Sequence, residues 1–90
     1  AAMIYGPKKV IVIAGVNKIV KDLDAAIVRM KEIAAPANAI RLNRNTPCAK
    51  VGYCCDCKSP DKICREYTVI RSQGDKERFH VIIVEENLGY

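Results

Sequence analysis

The sequence lacks several features that would assign it to a common functional class. It has no tryptophan and one phenylalanine among 90 residues, so it offers few aromatic rings for stacking on bases or sugars. It has no run of about 20 apolar residues of the kind that spans a membrane, since its longest run, Val10–Val16, has only the length of a strand. No signal-peptide pattern opens the chain. These absences favour a cytoplasmic protein, whose thiols stay reduced.

Charge of one sign is not concentrated anywhere in the chain. Fifteen lysines and arginines against ten acidic residues give a formal net charge of +5, but the basic residues are scattered. Nucleic-acid-binding domains usually concentrate positive charge on one face and add aromatic residues or a readable motif. We therefore interpret the charge as a mildly basic, solvated surface and do not expect nucleic acid as a partner.

The apolar residues predict a single α/β domain over residues 1–90. Val10–Ala14 form an unbroken β-branched run, which is typical of a strand covered on both faces in a parallel sheet. Apolar spacings of three and four over residues 19–34 predict a helix. Asp22 is its expected N-cap, and Pro36 is expected to stop this helix and to be able to open another turn.

Two more strands are predicted near the end of the chain, at Tyr67–Ile70 and Phe79–Val84. The turn between them is too short for a parallel crossover, which needs about a dozen residues. We therefore expect these two strands to pair antiparallel and to give a mixed sheet.

Cysteine is absent from most of the chain and concentrated in one stretch. All five cysteines lie in a polar loop, residues 43–65, which has no periodicity and is broken by proline and glycine. A loop of this length inside a compact domain is expected to be functional, disordered or stapled. Four of the cysteines follow the pattern C-x5-C-x2-C-x6-C, namely Cys48, Cys54, Cys57 and Cys64.

This spacing predicts a metal-binding loop. The two-residue gap between Cys54 and Cys57 lets both sulfurs face one metal, and four thiolates complete a tetrahedral zinc site or hold a [4Fe–4S] cluster. Cys55 is expected to point away from the shared centre. A single C-x2-C with long, unequal flanks and no histidine partner slightly favours the cluster over zinc. Free thiols and a disulfide framework are the alternatives, although an odd cysteine count weighs against disulfides.

A second, weaker candidate site follows the first predicted strand. Gly15, Asn17 and Lys18 lie between that strand and the helix, at the edge of an open α/β sheet where ligands usually bind. Gly15 allows close approach of a backbone, and the other two side chains suit a carboxylate or a phosphate. One glycine is far short of a dinucleotide fingerprint, however, and a strand-end turn with a solvated lysine explains the same residues.

The order of several segments resembles that of a known family. Four segments carry the resemblance: GPKKVIVIAGVNKIV, EIAAP, TPCAKVGYCCDCKSPDKIC and VIIVEENLGY. They are similar to the C-terminal half of the LUD family, the lactate-utilisation domain proteins. The resemblance implies a three-layer, Rossmann-like mixed sheet similar to the sugar-isomerase and CoA-transferase-like fold, of which these residues form only part. It also implies that the cysteine quartet found in the family corresponds to Cys48, Cys54, Cys57 and Cys64.

The function implied by the resemblance is that of a redox or accessory subunit in the oxidation of L-lactate to pyruvate. Such a subunit would work beside separate iron–sulfur partner subunits, and the family supplies no established catalytic residues. The alternative is a small zinc-stapled module that binds protein or nucleic acid without catalysis. A third interpretation is a catalytic domain whose active site lies at residues 15–18.

Overall fold

The computed structural model describes residues 2–90, which divide into two compact units. One comprises residues 2–19 with Thr68–Gly89, and the other comprises Val20–Tyr67. The first unit contains both strands, and the second contains the α-helices and all five cysteines. The predicted α/β class is confirmed at this level. Two strands do not establish the expected three-layer Rossmann-like sheet.

The sheet consists of two parallel strands, β1 (Val10–Gly15) and β2 (Phe79–Val84), which pair in register from their first residues to their last. Both strands are rich in the β-branched residues that suit a pleated surface. The chain between them is long enough for the crossover that parallel pairing requires.

The predicted strand at Tyr67–Ile70 does not form, so the expected antiparallel pair was wrong. These residues are irregular and exposed, with Val69 58% accessible. A β-branched run becomes a strand only where a neighbouring strand accepts its hydrogen bonds. Among residues 2–90, β2 pairs with β1 instead.

One face of β1 is exposed, contrary to the expectation of cover on both faces. Ile11 and Ile13 are 59% and 64% accessible, whereas Val10, Val12 and Ala14 between them are half-buried. An unbroken apolar run shows that both faces tolerate burial, but a two-stranded sheet offers little surface on which a second layer packs.

The helical segment begins as predicted and ends later than predicted. Helix α1 (Leu23–Arg29) is capped by Asp22, whose Oδ1 accepts a hydrogen bond from the Ala25 N–H at 2.7 Å. A π-helical turn follows at Met30–Ala34, and helix α2 (Ala35–Arg41) continues from it. Pro36 therefore does not stop the helix. The widened turn accommodates the missing N–H and the bulk of the proline ring.

A short helix, α3 (Pro47–Val51), starts the cysteine-containing part of the chain. Thr46 caps it by accepting from the Ala49 N–H at 3.3 Å, and Gly52, with φ of 87°, ends it. Helix α3 packs against α2, where Ala39 and Thr46 are only 1% and 3% accessible. This packing fixes the beginning of the loop on a helical wall. No helix within residues 2–90 is long and apolar enough to cross a membrane.

We expect Asp22→Ala to lower the free energy of unfolding by about 1 kcal/mol, because α1 loses its only side-chain cap. Urea denaturation followed by circular dichroism measures this change. Asp24→Ala is the matched control, since Asp24 lies in the first turn without serving as the cap and contributes only a smaller charge–dipole interaction. Equal losses in the two variants would contradict a specific capping role.

Candidate metal centre

The cysteines of the loop surround one cavity in the unit formed by Val20–Tyr67. The cavity has a volume of about 180 Å³ and is bordered by all five of them. Four cysteines are half-buried, namely Cys48, Cys54, Cys57 and Cys64, whereas Cys55 is exposed. An apolar cavity of roughly 150 Å³ holds a benzene ring, so this space exceeds what one ion requires.

Cys55 differs from the quartet in its exposure, and its thiol contacts the backbone. Its thiol donates a hydrogen bond to the backbone carbonyl of Tyr53, with the sulfur 3.6 Å from the oxygen. The thiol is therefore engaged locally, although the residue also borders the cavity.

The other walls of the cavity combine helical residues with residues from the loop. Lys31 comes from the π-helical turn, and Ala35 and Ala39 come from α2. The other lining residues follow the helices in sequence and include charged and apolar side chains: Thr46, Asp56, Lys62, Ile63 and Tyr67. The cavity thus lies between the helical segment and the residues that follow it.

A set of polar contacts, here called the Asp61 clamp, closes the loop at its base. Asp61 accepts a hydrogen bond from the Asn45 N–H at 2.6 Å and another from the Arg44 guanidinium at 3.1 Å. Ser59 Oγ donates to the Asn45 carbonyl at 3.2 Å. These contacts join the two sides of the segment that contains residues 48–57. The loop is therefore closed by protein groups alone.

The turn between Cys54 and Cys57 is shaped by Asp56. This residue has φ of 51°, in the left-handed region, and its backbone N–H donates to Cys54 Sγ at 3.4 Å. The Cys54 thiol in turn donates to the Asp56 carboxylate, with Sγ 3.8 Å from Oδ1, so two polar groups of Asp56 contact this sulfur.

Lys31 reaches this turn from the helix. Its ammonium lies 3.0 Å from Asp56 Oδ1, and this hydrogen bond lowers the pKa of Asp56 and raises the pKa of Lys31. Both side chains are largely accessible to solvent, so the pair contributes little to stability. Its consequence is positional, because it places one positive charge beside the cavity.

Two other polar groups contact the quartet. Thr46 Oγ1 lies 3.3 Å from Cys48 Sγ, and Lys62 Nζ donates to the Cys57 carbonyl at 3.3 Å. The Thr46 hydroxyl already accepts from Ala49, so its hydrogen is free to point at the sulfur.

Sequence reasoning missed most of these supporting residues. The Thr46–Pro47 pair is a recognisable helix start and indicates the cap, although it does not reveal the contact with sulfur. Asp61 carries no sequence signal for the hydrogen bonds that it accepts from Asn45 and Arg44. No local pattern connects Lys31 with Asp56, because the two lie on separate elements.

The sulfurs share a cavity without forming a preorganised ligand set. Within residues 2–90, no three histidine, cysteine or acidic side chains are arranged to hold a metal ion. The cysteines are free of disulfides. The chemistry of the four thiols fits a sulfur-ligated centre, but binding would require them to move closer together.

The weaker candidate residues also come together, in the unit that contains the strands. Asn17 and Lys18 both hydrogen-bond to residues 88–89, and Gly15 lies directly against the same segment. The groups predicted to meet an anion are therefore in contact with the chain itself.

Comparison with known proteins identifies the family. The family model of the LUD domain matches residues 1–84. The chain belongs to the LUD domain family. This membership confirms the resemblance of the sequence to the LUD family, which is related to lactate utilisation. No curated protein and no solved structure matches the chain.

The Asp61 clamp is expected to weaken in acid. The Asn45 N–H and Arg44 hold the pKa of Asp61 below its usual value of 3.8, so the clamp is fully stabilising above about pH 5 and is lost as the pH falls through the lowered pKa. An NMR titration of the Asn45 amide from pH 7 to pH 2 measures this. Asp61→Asn should abolish the transition, and an unchanged amide in the native protein would contradict the clamp.

Proposed function

We propose that this LUD domain is a redox or accessory subunit in the oxidation of L-lactate to pyruvate. Its metal centre would be bound by Cys48, Cys54, Cys57 and Cys64. Family membership supports the lactate context. The observation that carries the metal centre is that all four cysteines border one cavity, and that three of them lie within the segment closed by the Asp61 clamp. Electrons would pass to or from separate iron–sulfur partner subunits.

A [4Fe–4S] cluster is the preferred occupant, and zinc is the alternative. The single C-x2-C pair with long, unequal flanks and no histidine partner favours the cluster slightly over zinc. The donor set consists of sulfur alone, which both occupants accept. When bound, a cluster exchanges electrons, whereas zinc held by four thiolates has no open position and is structural.

The supporting residues have defined tasks in this proposal. The Asp56 N–H and the Thr46 hydroxyl would donate to the thiolates of Cys54 and Cys48, and hydrogen bonds to sulfur are among the factors that set a cluster's potential. Lys62 would offset part of the negative charge of four thiolates, whereas Lys31 is already paired with Asp56. The Asp61 clamp would reduce the chain entropy lost when the sulfurs gather.

Serine substitution at each cysteine tests the ligand set. After anaerobic reconstitution with iron and sulfide, changing any member of the quartet to serine should lower the bound metal per chain several-fold, because a four-thiolate site loses one ligand. Cys55→Ser is the matched control and should bind as the native protein does. Metal analysis measures both. Equal loss in the control, or native binding in every quartet variant, would contradict the assignment.

Absorption spectroscopy separates the two occupants. A cluster-containing protein prepared anaerobically is expected to be brown and to bleach with dithionite, because the cluster accepts an electron. A colourless protein with one equivalent of zinc would remove the electron-transfer role. That result would favour the zinc-stapled binding module instead.

A further inference from the structure

A short segment after β2 closes over the end of β1. We call residues 86–89 the strap. Asn17 holds the strap with both atoms of its side-chain amide, since Oδ1 accepts from the Leu88 N–H at 3.1 Å and Nδ2 donates to the Gly89 carbonyl at 3.1 Å. The amide thus recognises the backbone of the strap as the peptide group of a neighbouring strand would.

Gly15 allows the strap to approach this closely. A Cβ at Gly15 would lie 2.5 Å from the Glu86 carbonyl oxygen and 2.6 Å from the Leu88 nitrogen, well inside van der Waals contact. Gly15 has φ of −73°, which any residue adopts, so glycine is needed here for space and not for conformation. The strap therefore fills the space beside Gly15 that a larger side chain would need.

Lys18 also contacts the strap, but the strap does not neutralise the positive charge of its ammonium group. Its ammonium donates to the neutral carbonyl of Leu88, and within residues 2–90 it forms no ion pair with a carboxylate. A charge-assisted hydrogen bond to an anionic oxygen is stronger than one to a carbonyl. The contact also lies at the carboxyl ends of two parallel strands, where ligands of α/β sheets bind.

We propose that Gly15, Asn17 and Lys18 form an oxyanion site and that the strap occupies this site in the closed state. A carboxylate or phosphate group binds when the strap is displaced. Its oxygens then accept from Lys18 Nζ and Asn17 Nδ2 in place of the Leu88 and Gly89 carbonyls. The closed strap lowers the apparent affinity in proportion to the fraction of molecules that are open. The site lies in the strand unit and uses no residue of the cysteine loop.

A substitution in the strap tests this proposal without altering the site. Leu88→Pro removes the backbone N–H that donates a hydrogen bond to Asn17 Oδ1. Leu88→Ala keeps this N–H and is the matched control. NMR titrations with inorganic phosphate and, separately, with acetate follow the backbone amides of Gly15 and Lys18. The proline variant should bind at least one of these anions roughly tenfold more tightly than the alanine variant, because one hydrogen bond of the closed state is lost. The anion that binds more tightly identifies the ligand class.

Hydrogen exchange on the same samples reports whether the strap opens and β1 stays folded.

Gly89→Ala is the second variant if Leu88→Pro unfolds the sheet, since Gly89 has φ of 64° and its Cβ would lie 3.3 Å from Lys18 Nζ. Two results would overturn the proposal. One is equal anion affinity in the released and control variants, and the other is a released strap with no binding of either anion.

Discussion

The closed state of the cysteine loop depends on one carboxylate. Asp61 accepts from the Asn45 N–H and from Arg44, and this joins the two sides of a segment that would otherwise be free to open. Loop closure costs entropy, and the hydrogen bonds of the clamp offset part of that cost. The contribution of its ion pair is modest, because Arg44 and Asp61 are 42% and 38% accessible. Cys48, Cys54 and Cys57 lie inside the closed segment and border one cavity.

In the strand unit, side-chain hydrogen bonds to the backbone also hold a segment of the chain in place. There the side-chain amide of Asn17 and the ammonium of Lys18 hold the strap against the end of β1. In the strand unit, the polar side chains predicted from sequence to serve a ligand contact the backbone of the chain directly. A ligand of Asn17 and Lys18 therefore has to displace the strap. A metal bound by the cysteines would instead benefit from the closure of the loop by the Asp61 clamp.

Local signals allowed part of this arrangement to be predicted. Asp22 was identified as a cap because capping depends on the residues of one turn, and clustering of cysteine in a polar loop indicated a site. A parallel sheet was predicted for β1 from its unbroken apolar run, but β2 was not predicted as its partner, since the partner of a strand is decided by distant residues. Pro36 was expected to end the helix, but the π-helical turn before it absorbs the change in hydrogen bonding. The contact between Lys31 and Asp56 has no local signal at all.

The central claim is that four sulfurs of this loop converge on a single metal centre. X-ray absorption spectroscopy at the metal edge, on anaerobically reconstituted protein, tests it most directly because it identifies the atoms bound to the metal. The expected result is a first coordination shell that consists of sulfur alone. A shell dominated by oxygen or nitrogen would contradict the claim, since the metal would then be bound elsewhere or by other groups.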